Sequence, residues 1–158
     1  MAIYKVINQA GNYRTSRDVE KLIRYITLED KTPKDGIIGG AVLPENAAEA
    51  MNAVTDAYHQ ERGPRVRHSV LSFSPDEILS ERQVKEIAKK CVSYYEDRYQ
   101  ILAAIHEDKE HLHIHFAMNT TSYLDGKKYH GVKKDYFGFM KHIDHCLSPY
   151  GLCVIPQK

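Results

Sequence analysis

Apolar residues recur along this chain at two spacings: every second position, and every third or fourth. The first spacing marks half-buried strands and the second amphipathic helices. Ile3 to Asn8 alternates and predicts a strand that Gly11 and Asn12 then break. Ser16 is placed to cap a helix reaching about Thr27, with Val19, Leu22, Ile23 and Ile26 as its apolar stripe. Glu29 to Asp35 reads as a charged loop, and Gly36 to Leu43 as a glycine-containing strand. Pro44 opens a helix over roughly 45–61, and Val66 to Phe73 is the next strand. Ser74-Pro75-Asp76 is turn chemistry. Ser80 and Gln83 form a capping box for a helix to about residue 96. Two apolar strands, near 100–106 and 111–118, flank Glu107-Asp108-Lys109-Glu110 and predict a hairpin. Leu124 to Lys127 is a turn, and a last helix runs from about Lys134 to Leu147. The strands fall in neighbouring hairpins and not in strict βαβ alternation. The expected fold is α+β, a mostly antiparallel sheet with helices packed mainly on one face.

Composition narrows this only a little. The 158 residues, 42% hydrophobic and 27% charged, suit a single globular domain spanning residues 1–158. No apolar run reaches the roughly 18 residues of a membrane helix. The N-terminus lacks the apolar core of a signal peptide, so a cytoplasmic location without membrane insertion is expected. The three cysteines, Cys91, Cys146 and Cys153, form no CxxC pair, which fits a reducing compartment. The net charge of +1 conceals a segregation. Residues 1–40 carry seven Lys/Arg against five Asp/Glu, residues 41–120 nine against thirteen, and residues 121–158 six against three. Two basic ends that meet on one face would attract phosphate even though the whole chain is near neutral.

The chemistry concentrates in one place. Nine histidines in 158 residues would put about 0.6 in any ten-residue window, yet His106, His111, His113 and His115 share one. On a strand, His111, His113 and His115 point to one face, and Leu112, Ile114 and Phe116 to the core. If Glu107 to Glu110 form the turn, His106 lies opposite His111 and diagonal to His113, within reach of a common ion. The spacing leaves open which three of the four would ligate. Asp108 and Glu110 are placed to orient an imidazole.

These residues resemble a known family. His106-x-Asp108-x-x-His111-x-His113-x-His115-x-x-x-Asn119 looks like the third motif of the relaxase/mobilisation nucleases, members of the HUH endonucleases. That group is named for paired histidines flanking a hydrophobic residue, here His113-Ile114-His115. Met1 to Asn8 looks like the family's first strand. Tyr25-Ile26-Thr27 with Glu29 to Thr32 is similar to its nucleophile segment, and His68 to Glu77 to its second motif. Gly126 to His130 and Lys133-Lys134-Asp135 are similar to its C-terminal stretch.

The resemblance implies a central antiparallel sheet of about five strands with the active site on its open face. It implies a metal triad of His106, His113 and His115, with His111 in support; Asp108 would support it from the turn, and Asn119 either orients a ligand or closes the strand end. Mn²⁺ or Mg²⁺ is the implied ion, while the softness of imidazole admits Zn²⁺ or Co²⁺. Tyr25 matches the nucleophile that would hold the 5′ end of a nicked strand as a phosphotyrosine ester, with Tyr13 in reserve. Arg14, Arg17, Arg24, Lys31, Lys127, Lys128, Lys133 and Lys134 are candidates for phosphate contacts with single-stranded DNA. The implied activity is strand-specific nicking and joining at a transfer origin, with accessory relaxosome and coupling proteins as partners. A rolling-circle initiator or transposase of the same group is the nearest alternative. A non-catalytic metal-containing DNA-binding module is another.

Overall fold

The computed structural model describes residues 1–7, 13–28, 30–33, 35–107 and 111–156. Six strands form one sheet: β1 (Ala2–Ile7), β2 (Ile37–Gly40), β3 (Val66–Phe73), β4 (Ile101–Glu107), β5 (Leu112–Asn119) and β6 (Val154–Pro156). Their order is β2-β4-β5-β3-β1-β6. Every pairing is antiparallel except that of β1 with β6. Four helices accompany the sheet: α1 (Ser16–Ile26), α2 (Ala47–Ala57), α3 (Glu81–Val92) and α4 (Lys133–Leu147). The α+β expectation therefore holds. The three-residue β6 brings the strand number to six.

The two parities of β4 explain where the helices lie. Ile101, Ala103 and Ile105 join the larger apolar cluster with Val84, Ile87 and Cys91 of α3 and with Phe139 and Ile143 of α4. Leu102 and Ala104 join a second cluster with Val19, Leu22 and Ile26 of α1 and Met51 of α2. Successive strand residues face opposite ways, so α3 and α4 cover one face and α1 and α2 the other. The helices are shared between both faces, not packed mainly on one as expected, because both parities of β4 are apolar. The near-continuous apolar run of β4 is the mark of a strand buried on both sides.

The helices start where side chains satisfy their free N–H groups. Ser80 and Gln83 make the expected capping box of α3. At α1 the cap is Thr15, one residue before the expected Ser16, because Asp18 stands three residues on and closes a reciprocal box. The second helix is shorter than its apolar pattern. A single 3₁₀ turn, Pro44–Asn46, precedes α2, and His59 adopts a left-handed φ of 56° just beyond it. The strand expected over 36–43 likewise stops at Gly40, since Ala41 turns the chain with a φ of 56°.

Asn119 closes β5 and is completely buried. Its amide donates to the Met51 carbonyl at 3.1 Å and to Gln100 Oε1 at 2.9 Å. Its oxygen accepts from Thr55 Oγ1 at 3.2 Å and from the Thr121 N–H at 3.0 Å. Four bonds thus tie α2, β5 and the chain on either side of β4 and β5. Replacing it would strand several buried partners. Asn119→Ala is expected to lower stability by about 2–4 kcal/mol, measured by urea unfolding.

Candidate functional site

The face under α1 and α2 carries the imidazoles. In the β4–β5 ladder His106 stands directly opposite His113, and Ala104 opposite His115. The expected pairing of His106 with His111 is displaced by two residues. The ladder extends through Glu107 and resumes at Leu112, so the connection is shifted one residue along the chain. A two-residue displacement keeps side-chain parity, and the histidines still share a face. The His106 and His115 rings lie 4.2 Å apart and those of His113 and His115 6.0 Å. His111, exposed and just ahead of β5, stacks on His113 at 5.7 Å. Asp108 lies outside the described residues.

Tyr25 projects from the last turns of α1 over this cluster. Its ring is 6.1 Å from that of His106 and 6.0 Å from that of His115, with 47% of the residue still exposed. Lys31 Nζ approaches the same ring at 6.0 Å. The structure thus gathers Tyr25, His106, His113 and His115 from elements far apart in the chain. Asn119 does not join them. It sits four residues beyond His115, about 13 Å along the strand.

A further histidine completes the cluster. His68 of β3 is buried, and its Nε2 lies 2.9 Å from His115 Nδ1. Its Nδ1 lies 3.2 Å from Tyr13 Oη. Local spacing gave no hint of this pairing, which spans 47 residues of sequence. The available signal was a histidine between Val66 and Val70 on one face of a strand, where an apolar residue would ordinarily stand.

Burial sets the charge state of these rings. Desolvation, with the nearby His106 adding to it, pushes His68 down to about 4. Desolvation, His106 and then His68 push His115 down to about 3. Both are neutral at pH 7, as a metal-ligating imidazole must be. His106 Nε2–H donates to the Ile26 carbonyl at 2.7 Å, which leaves its Nδ1 as the nitrogen with a lone pair. The donor types therefore suit a divalent ion. Among the described residues, however, no three His, Cys, Asp or Glu side chains are already arranged to hold one. His106, His113 and His115 would have to close further around it.

The basic candidates divide by position. Arg14, Arg17 and Arg24 are exposed on or beside α1, and Lys31 lies beside Tyr25. Lys127, Lys133 and Lys134 are exposed, the last two at the start of α4 on the other layer of the sheet. Lys128 is different. Its ammonium donates to the carbonyls of Gln60 at 3.2 Å and Pro64 at 3.0 Å and to Thr120 Oγ1 at 3.0 Å. All three of its protons have acceptors within the fold.

The arrangement is that of an α+β protein with an imidazole-rich sheet face beneath a tyrosine-bearing helix. The family model "Relaxase: MobA/VirD2-like, nuclease domain" matches residues 25–152, and the chain belongs to that family. It is also similar to the group II intron-interrupted relaxase LtrB of Lactococcus lactis subsp. cremoris, at 35% identity over 63 residues. That match covers 39% of this chain and 11% of LtrB. Protein rlx of Staphylococcus aureus is 28% identical over 108 residues, 68% of this chain and 34% of that protein. The chain thus spans about a third or less of the length of these relatives.

The lowered histidine values fix a pH dependence. Below 6.5 the unfolded chain takes up protons at His68 and His115 that the folded chain refuses. Stability is therefore complete above that pH and declines as pH falls toward about 4. For metal-free protein the two histidines together lose about 3 kcal/mol between pH 6.5 and 5, where most carboxylates remain ionised. It should appear as a drop of roughly 10 °C in Tm. His68→Gln should flatten that slope in the same thermal scan.

Proposed function

We propose that this chain is the nuclease domain of a longer bacterial relaxase, a single unit over residues 1–158 that nicks and rejoins single-stranded DNA at a transfer origin. The observation that carries the reading is the half-exposed Tyr25 phenol beside the His106 and His115 rings. Family membership supports the reaction class.

In this reading His106, His113 and His115 would hold a divalent ion, Mn²⁺ or Mg²⁺ first, with Zn²⁺ or Co²⁺ compatible with the nitrogen donors. When bound, the ion supplies a positive charge that binds a phosphate oxygen and offsets charge in the transition state. His111 flanks the triad and steadies His113 through their stacked rings. Tyr25 Oη attacks the scissile phosphorus and forms a new P–O bond as the bond to the 3′ oxygen breaks. The phenol's proton reaches the departing 3′ oxygen through solvent. The 5′ end remains on Tyr25 as a phosphodiester, so the bond energy is kept for rejoining. Arg14, Arg17, Arg24 and Lys31 line the approach on the α1 side and hold the strand by its phosphates. Lys127 extends that contact, with Lys128 holding its loop in place, whereas Lys133 and Lys134, at the start of α4 on the other layer of the sheet, meet only DNA that has left the α1 side. Relaxosome and coupling proteins would engage the longer protein in the cytoplasm.

The test is incubation of the protein with Mn²⁺ and a single-stranded oligonucleotide from the transfer origin of its own element. A covalent protein–DNA adduct should appear on a denaturing gel, and Tyr25→Phe or a chelator should abolish it. An adduct of undiminished yield in Tyr25→Phe would overturn the nucleophile assignment. His113→Ala should lower the nicking rate at least 100-fold while leaving the Tm within about 3 °C, since His113 is only partly buried.

A further inference from the structure

A neutral imidazole carries one N–H and one lone pair, and only the nitrogen with the lone pair can ligate. At His115 the choice of nitrogen is coupled to two neighbours. His115 Nδ1 is 2.9 Å from His68 Nε2, and His68 Nδ1 is 3.2 Å from Tyr13 Oη. These three groups admit two proton orders. In one, Tyr13 donates to His68 and His68 donates to His115. His115 then carries its proton on Nε2, and no lone pair faces the site. In the other, His115 Nδ1–H donates to His68 Nε2, and His68 Nδ1–H donates to Tyr13 Oη. His115 Nε2 then keeps its lone pair.

The surroundings are built to keep this line of contacts in place. Tyr13 holds a left-handed φ of 63°, a conformation that a bulky residue adopts only where its surroundings impose it. Its carbonyl accepts from the Arg65 N–H at 2.6 Å. Arg65 is itself buried, with its guanidinium on Asp56 at 2.9 Å and on Asn52 at 3.2 Å. The His68 ring stacks on His115 at 5.2 Å and meets Tyr13 edge-on at 6.1 Å. The strained tyrosine, the buried arginine and the stacked rings fix His68 between the other two.

We propose that His68 is the positioning residue of the site: its Nε2 accepts a hydrogen bond from His115 Nδ1–H, its own Nδ1–H donates to Tyr13 Oη, and His115 Nε2 is thereby presented as the ligand nitrogen. A carboxylate or backbone carbonyl commonly fills this orienting role. Here it falls to an imidazole and a phenol, so no negative charge is added. The proposal rests on reading the cluster as a divalent-metal site.

Long-range ¹H–¹⁵N spectra of the metal-free protein near neutral pH test it directly. Both His68 and His115 should show the Nδ1–H tautomer, and an Nε2–H signature at His115 would overturn the proposal. Mn²⁺ affinity, followed by electron paramagnetic resonance, is the second readout. His68→Gln offers an amide oxygen as replacement acceptor and should bind Mn²⁺ within about threefold of the parent protein, whereas His68→Leu should bind 10–100-fold more weakly. A folded His68→Leu protein with parental affinity, or His68→Gln as weak as His68→Leu, would equally overturn it. If the parent protein takes up no Mn²⁺, the metal reading fails, and the tautomer spectrum still decides the role of His68.

Discussion

The site depends on the register between β4 and β5. Three apolar pairs, Ile101–Met118, Ala103–Phe116 and Ile105–Ile114, set their side chains into the cluster under α3 and α4. Their burial locks the ladder, and each intervening residue is thereby committed to the opposite face. A one-residue slip would exchange Ile114 and Phe116 for His113 and His115 beneath two helices. The apolar half of each strand thus aligns the imidazoles, which need contribute nothing to their own placement. Ala104 opposite His115 leaves that ring room on its own side of the sheet.

Much of this was legible in the chain, for a definite reason. Parity is a local property, so the alternation of His113 and His115 with Ile114 and Phe116 fixed which residues share a face. The capping box at Ser80 was equally local. The exact register was not, because it depends on how far the ladder persists into the turn. The double burial of β4 had a readable trace in Ile101 to Ile105, which is apolar at both parities, but a run of that kind does not say which helix covers which side. β6 pairs over three residues only, too short for a period to register. His68 went unrecognised as a site residue because its partners, Tyr13 and His115, lie 55 and 47 residues away. Asn119 admits two readings from sequence, orienting a ligand or closing the strand end, and the structure places it at the end of β5, well beyond the cluster.

The electrostatics of the cluster follow from its composition. Every described side chain in it is an imidazole or a phenol, and burial holds His68 and His115 neutral. Neutral ligands would leave the charge of a bound cation uncompensated, and a phosphodiester would meet more of it than at a carboxylate-rich site. Lys31 beside Tyr25 adds to the same field. The net charge of +1 hides this because acidic groups elsewhere on the surface cancel it in the sum.

The hydrogen bond from His106 to the Ile26 carbonyl has a consequence for how mutants are interpreted. Ile26 ends the helix that carries Tyr25, and its carbonyl is among those left without a partner in the last turn. His106 is therefore both a member of the imidazole cluster and the fastening of the Tyr25-bearing helix to the sheet. Replacing it acts on two functions at once, and the resulting defect would not add to that of a Tyr25 change. Through this single ring, whatever pulls on one half of the site is felt by the other.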